Sequence, residues 1–345
     1  MRKKVKPLEY AELKDLQSLP LKYKVMITKQ RIREWYEHWD GQVYVSFSGG
    51  KDSTVLLHIV RQLYPEVPAV FCDTHLEYPE VREFALSQPN VIKLTPKLTF
   101  RQVIEKYGYP VISKRQAQYL REIQNPTEKN AATVRLRLTG IRSSGKYSGY
   151  SKISDRWQYL KDAPFKISEQ CCDVMKKKPM DTYVRETSRQ PYIGTMAADG
   201  ANRELEYLQN GGCNVFESGR PKSTPLGFWT EQDILQYLKD NNLPYAKCYG
   251  RICKRGGKLI TTGVNRTGCM FCMFGVHLEP EPNRFQRMQI THPDRWAYCT
   301  GGGQTVNGKW VPSNKGLGIG FILDYIGVPW KNDEGLWPMK ELIGM

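Results

Sequence analysis

Val43-Tyr44-Val45-Ser46-Phe47-Ser48-Gly49-Gly50-Lys51-Asp52-Ser53-Thr54-Val55-Leu56 is the stretch on which the fold turns. Its opening residues are largely β-branched or aromatic, the composition of a short strand. After the two glycines, apolar residues recur at Val55, Leu56, Ile59, Val60 and Leu63, which is the spacing of one helix face. Strand, glycine loop and helix therefore follow one another directly.

Upstream, Tyr23 to Trp39 carries apolar residues at Val25, Met26, Ile32, Trp35 and Tyr36 with basic residues between them, which predicts a helix ending at an Asp40-Gly41 turn. Downstream, Val67 to Phe71 predicts a second strand ending in Cys72-Asp73-Thr74, and Pro79 suits the first turn of a helix. Val91 to Leu94 predicts a third strand, Phe100 to Tyr107 a helix, and Tyr192 to Thr195 a later strand. This alternation predicts an α/β fold, a parallel sheet with helices on both faces. From Cys248 onward glycine, cysteine and proline increase and the alternation fades. The expected organisation is an N-terminal helical segment over residues 1–40, an α/β domain over 41–247 and a cysteine-containing C-terminal region over 248–345.

The composition is that of a globular chain: 345 residues, 40% apolar and 25% charged. No uncharged stretch has membrane-spanning length, and Met1 to Lys6 runs into Tyr10, Glu12 and Asp15 without an apolar signal-peptide core, so a cytoplasmic protein is expected. The formal charge is +16, a surplus that attracts polyanions, nucleic acid first among them. In a reducing compartment the nine cysteines are expected as metal or redox ligands where they cluster, not as a disulfide framework.

Ser48-Gly49-Gly50-Lys51-Asp52-Ser53 lies between a predicted strand and a predicted helix, where main-chain amides at a helix N-terminus can surround phosphate oxygens. Two glycines let the backbone approach a ligand, Lys51 adds charge, and the Ser48 and Ser53 hydroxyls can donate hydrogen bonds. The spacing is not that of a Walker loop. A plain glycine turn is the competing reading. The hexapeptide resembles the signature of the PP-loop ATP pyrophosphatases, whose fold is adenine nucleotide alpha hydrolase-like and whose reaction is adenylation with release of pyrophosphate. The resemblance implies ATP and a magnesium ion as ligands, with Lys51 and Asp52 catalytic and Ser48 to Ser53 binding the nucleotide. Asp73 ends the neighbouring predicted strand and could reach the metal ion or nucleotide; a turn or helix-capping role is the alternative.

Cys171-Cys172 is followed far along the chain by Cys269-Met270-Phe271-Cys272. An adjacent pair with a C-x-x-C suits a 4Fe-4S cluster, which takes cysteine ligands almost exclusively, better than a single tetrahedral ion. A zinc site at Cys248, Cys253, Cys269 and Cys272 remains open by spacing. Cys72 and Cys213 are expected as small buried hydrophobes. The pattern is similar to the adenylyl-sulfate and phosphoadenylyl-sulfate reductase branch of the superfamily, through Cys171, Cys172, Lys176 and Pro179, then Trp229-Thr230 with Asp233-Ile234, Leu243-Pro244-Tyr245 and Gly268-Cys269. It covers about residues 20–280.

The chain departs from those reductases in two places. They attack substrate with a cysteine near the C-terminus, whereas Gly335-Leu336-Trp337-Pro338-Met339 contains none and Cys299, in Tyr298-Cys299-Thr300, has a different setting. They show Thr-Gly-x-Arg after the cysteine pair, whereas Gly194-Thr195-Met196 places methionine at the arginine position, with Arg203 as a possible substitute; Thr139-Gly140-Ile141-Arg142 lies on the wrong side of the motif order. The chain is closer in expected chemistry to the iron-sulfur ATP pyrophosphatases of DNA phosphorothioation and to tRNA thiolases, with a sulfur donor such as a cysteine desulfurase as partner. Between Ser113 and Trp157 ten basic residues face three acidic ones, interleaved with Tyr147, Tyr150 and Trp157, a composition that suits phosphates and unpaired bases. Three functions follow as expectations: ATP-dependent sulfur transfer to nucleic acid, reduction of a sulfonucleotide to sulfite, or nucleic-acid binding without catalysis.

Overall fold

The computed structural model describes residues 7–332. The chain forms two compact units, one of residues 7–95 with Pro179–Thr267, the other of Pro96–Lys178 with residues 268–332. These divisions differ from boundaries drawn at residues 40 and 247. The reason is that Val91–Leu94 and Gln190–Ile193 are strands of one sheet, so the first segment of the second unit is an insertion between them.

In the first unit the helices Tyr10–Ser18 and Leu21–His38 lead into the strand Val43–Ser46. Six strands lie in the order 91–94, 69–72, 43–46, 190–193, 222–223, 214–215, and every neighbouring pair is parallel except the last. This is the parallel-sheet α/β architecture that the alternation predicts. Both faces of the central strand are covered, which is why its residues read as a continuous apolar run. Val43, Val45 and Phe47 pack with Val55, Leu56, Ile59 and Val60 of the helix Lys51–Leu63. Tyr44 and Val70 point the other way, against Tyr183 of the helix Lys178–Thr187. Each such aliphatic side chain contributes roughly 1.5–3 kcal/mol by leaving water.

The strand Val43–Ser46 pairs with Ala69–Cys72 on one side and with Gln190–Ile193 on the other. The chain thus changes direction along the sheet at the carboxyl end of Val43–Ser46, the position where open parallel sheets gather ligands. Ser48 to Ser53 begins there. The helix Glu231–Asp240 in the same unit starts at Thr230, whose side chain accepts from Asp233 N while the Asp233 carboxylate accepts from Thr230 N at 2.7 Å.

The second unit is built on backbone 109–112. It pairs with Ile167 at Tyr109 and with Met273–Phe274 at Val111 and Ile112. The helix Phe100–Tyr107 stops at Gly108, whose φ is +116° and whose missing Cβ would stand 2.5 Å from the Lys166 carbonyl carbon, so only glycine lets these segments meet. Phe165 is wholly buried and meets the rings of Tyr325 and Tyr109 edge-on at 5.3 and 6.0 Å. Among the described residues no helix is long and apolar enough to cross a membrane. The sequence motif at Gly335 to Met339 lies outside the described residues.

Candidate functional site

Gly49 has φ +72°, and a Cβ there would meet Val81 O at 2.8 Å and Ala85 Cβ at 3.0 Å. Conformation and space both demand glycine. Gly50 is the N-cap of the helix Lys51–Leu63 and has no side chain of its own to cap that end. The main-chain amides and dipole of the first turn thus face the end of the strand. Gly194, just after the strand Gln190–Ile193, lets that strand's end approach the same turn, since a Cβ on it would lie 3.3 Å from Ser53 N and Cα.

Within the loop, Ser48 N donates to Ser53 Oγ at 3.3 Å and Gly50 N to Ser48 Oγ at 3.3 Å, while Ser53 Oγ donates to Gly50 O at 2.9 Å. Lys51 is buried, and its ammonium donates to Asn265 O at 2.5 Å and to Glu231 Oε1 at 2.8 Å. Lys51 N donates to the Tyr249 hydroxyl at 3.3 Å, which in turn lies 2.6 Å from Thr267 Oγ1. Tyr249, Asn265, Thr267 and Glu231 therefore surround a loop from which they are remote in sequence. No sequence motif marks any of these four residues, although Glu231 directly follows the Trp229-Thr230 helix start.

Asp52 Oδ1 is buried with no hydrogen-bond partner. Burial is the main reason its pKa is pushed up to about 6; Lys51 opposes the rise and Asp199 adds to it. Asp73 has a different environment. Its buried carboxylate takes a forked pair of bonds from Arg82, Nε to Oδ1 at 2.9 Å and Nη2 to Oδ2 at 2.9 Å. Burial would raise its pKa, but the Arg82 bonds prevail and hold it below the usual aspartate value. Arg82 thus bonds both oxygens of the Asp73 carboxylate.

The second group lies in the other unit. Cys171 and Cys172 open a helical stretch whose next residues, Asp173–Lys177, form a π-helical turn. Cys269 O accepts from Cys272 N at 3.1 Å just before the strand Met273–Phe274, which brings the C-x-x-C beside Val111–Ile112 and the following Lys114. Ile112 holds φ +63°, a strained conformation for a β-branched residue, at the step that aims Ser113 and Lys114. The four thiols act on one another: Cys171 is raised by its bond with Cys172, by burial, and by the charges of Cys172, Cys272 and Cys269. Cys172 is lowered to about 6 by its bond with Cys171 against burial, with Lys114 and Lys176 helping. Cys272 is raised by burial, which outweighs the opposing effects of Phe274 N, Arg284 and Lys114. Cys248, by contrast, is pushed to about 12 by burial and by Glu80.

Four cysteine sulfurs, one of them lowered and acted on by Lys114 and Lys176, are the donor type an iron-sulfur centre takes. Among the described residues no three His, Cys, Asp or Glu side chains close to the distances at which one ion is held, where zinc–sulfur bonds run about 2.3 Å. No disulfide forms among the nine cysteines.

The family model for the phosphoadenosine phosphosulfate reductase domain matches residues 42–152 and 128–272. The chain belongs to this reductase-domain family. Its fold superfamily is that of the PP-loop, adenine nucleotide alpha hydrolase-like proteins. Relatives include the phosphoadenosine 5'-phosphosulfate reductase of Salmonella newport, 22% identical over 219 residues, 63% of this chain and 69% of that protein. The reductase of Proteus mirabilis is 23% identical over 210 residues, 61% of this chain and 66% of that protein. A crystal structure of the Candida auris phosphoadenylyl-sulfate reductase in complex with phosphate aligns at TM-score 0.37 and 16% identity, covering 70% of this chain and 90% of that one.

Against that family, Met196 is buried at 3% exposure and its main-chain N donates to Asp199 Oδ2 at 2.8 Å. Arg203 pairs with Glu206 at 2.9 Å on an exposed helix face. Cys299 has no exposed surface, and burial raises its thiol pKa well above the ordinary value. Cys213 is buried and Cys72 half-buried.

Proposed function

We propose that this protein binds ATP on the Ser48–Ser53 loop, adenylates an oxygen of an acceptor, and supports sulfur transfer to that acceptor, a nucleic acid modified in the manner of DNA phosphorothioation or tRNA thiolation. The observation that carries the reading is the loop itself: a glycine-dependent turn at the carboxyl end of a central parallel strand, opening a helix whose N-cap is glycine, with one buried ammonium.

In this reaction the acceptor oxygen attacks the α-phosphorus of ATP, the bond to the bridging oxygen breaks and pyrophosphate leaves with the electron pair; sulfide then attacks the activated acceptor atom, and AMP leaves carrying the former acceptor oxygen. The loop amides and Lys51 bind and neutralise the leaving pyrophosphate. Lys51 now donates to Asn265 O and Glu231, acceptors that phosphate oxygens would replace. A magnesium ion would add positive charge at the same oxygens, and Asp52, whose Oδ1 lacks a partner, is the loop carboxylate suited to hold it. Cys171, Cys172, Cys269 and Cys272 would hold a 4Fe-4S cluster, which would supply a soft site for sulfur; Lys114 and Arg284 favour the thiolate form there.

The test is pyrophosphate release from ATP by anaerobically purified protein, with DNA and tRNA in parallel. Release lost in Lys51→Ala supports the reading; release unchanged in that variant refutes the catalytic assignment. Family membership favours a second reading, reduction of a sulfonucleotide to sulfite. Met196 and the fully buried Cys299 weigh against it. Sulfite formation from phosphoadenylyl-sulfate, lost in Cys299→Ser, would select it.

A further inference from the structure

The inserted segment of the second unit carries a surface that neither the loop nor the cysteines use. The helix Ala131–Thr139 has no buried residue and ends at Gly140, in the left-handed region at φ +75°. A tight hairpin follows, with Ser148 N donating to Gly140 O at 2.7 Å and Arg142 N to Lys146 O at 3.0 Å. Arg142 and Lys146 flank its tip.

Two tyrosines stand beside that tip with most of their surface in water, Tyr147 at 64% and Tyr150 at 70% exposure. Both rings are backed. Tyr147 lies over two glycines: a Cβ on Gly140 would stand 2.7 Å from its ring, and one on Gly149 would stand 3.3 Å from its hydroxyl. Tyr150 is covered on one face by the Arg115 guanidinium at 3.9 Å, and its carbonyl accepts from the Tyr119 hydroxyl at 3.1 Å. The hairpin is tied down at its base, where Arg137 pairs with Glu122 at 2.7 Å and Ile153 N donates to Arg137 O at 2.8 Å. Two of the three acidic residues in this stretch are already engaged, Glu122 by Arg137 and Asp155 by Lys152. Arg115, Arg135, Arg142, Lys146 and Arg156 make no ion pair among the described residues.

Exposed aromatic faces held rigid among unpaired cations match the chemistry of a strand whose bases are not paired. Stacking needs a free base face, and each phosphate needs a cation. We propose that Tyr147 and Tyr150, with Arg115, Arg142 and Lys146, form a platform that binds single-stranded nucleic acid. This rests on the reading of the acceptor as a nucleic acid, and it names the form in which that acceptor is held.

Fluorescence anisotropy of the full chain, without ATP, against a labelled single strand and the same strand annealed to its complement, tests it. Polyglutamate and unlabelled single strand serve as competitors. The single strand is expected to bind more tightly than the duplex, with Tyr147→Ala and Tyr150→Ala each weakening it about tenfold and the phenylalanine variants restoring it. Arg142→Ala with Lys146→Ala is expected to flatten the salt dependence, by roughly 0.7 in log–log slope per lost phosphate contact. Tighter binding of the duplex, competition by polyglutamate equal to that by single strand, or alanine variants that bind like wild type would each overturn the platform. Pyrophosphate release is assayed in the same preparations. Tyrosine-dependent binding by protein that releases no pyrophosphate would sink the ATP reading and leave the platform standing; pyrophosphate release without tyrosine dependence would do the reverse.

Discussion

The Ser48–Ser53 loop is contiguous in sequence, its turn held by its own serine hydroxyls and its lysine by remote acceptors, whereas the cysteine group is gathered from two remote segments with Lys114, Lys176 and Arg284 acting on it. In the loop, shape is set by steric demand at Gly49 and charge is added by one lysine. At the cysteines, charge is the organising feature, and their positions follow from the pairing of backbone 109–112 with both neighbouring segments. A site of the first kind is broken by changing space or a single charge. A site of the second kind is broken by removing a ligand, without disturbing the other unit's sheet.

The largest effect is expected for Lys51→Ala. Removing a charge-stabilising donor of this kind lowers kcat for pyrophosphate release by about 100- to 1000-fold. The melting temperature should change little by comparison, which a thermal scan checks. Replacing Cys171 or Cys272 by serine is expected to abolish bound iron, read by iron and sulfide analysis of anaerobic protein, while ATP binding to the loop persists; loss of both together would deny that the two sites are separable.

Asp52 offers a pH test. Its native pKa, about 6 against an ordinary 3.8, means the folded state disfavours the carboxylate. The cost is therefore full above pH 6, shrinks as pH falls towards 3.8, and vanishes below it. Asp52→Asn is expected to exceed wild type in stability by up to about 3 kcal/mol at pH 7 and to converge with it near pH 4. Urea unfolding at both values reads the difference. Gly49→Ala should cost about 1–3 kcal/mol through its positive φ and the 2.8 Å approach to Val81 O. The smallest effect is expected for Tyr249→Phe, which removes the neutral hydrogen bonds of the hydroxyl with Lys51 N and Thr267 Oγ1, about 1 kcal/mol each, measurable as a shift in ATP affinity.

The same contrast explains what could be read from the sequence. Strand, loop and helix from Val43 to Leu63 are local, so periodicity and two glycines suffice to predict them. The sheet's interruption by Pro96–Lys178 is not local, because the pairing of Gln190–Ile193 with Val43–Ser46 leaves no mark on either segment. Asp73 ends its strand as predicted, but the bonds from Arg82 arise only once the helix Pro79–Ser87 folds back. Asn265 reaches Lys51 through a main-chain carbonyl, which carries no residue signature at all.

ATP bound at the Ser48–Ser53 loop is expected to be cleaved between its α- and β-phosphates. Product analysis of ATP labelled at the α-phosphorus, using anaerobic protein with single-stranded DNA or tRNA, tests this most directly. AMP and pyrophosphate in equal amounts, lost in Lys51→Ala, are the predicted result; ADP and phosphate, or equal turnover by that variant, would contradict it.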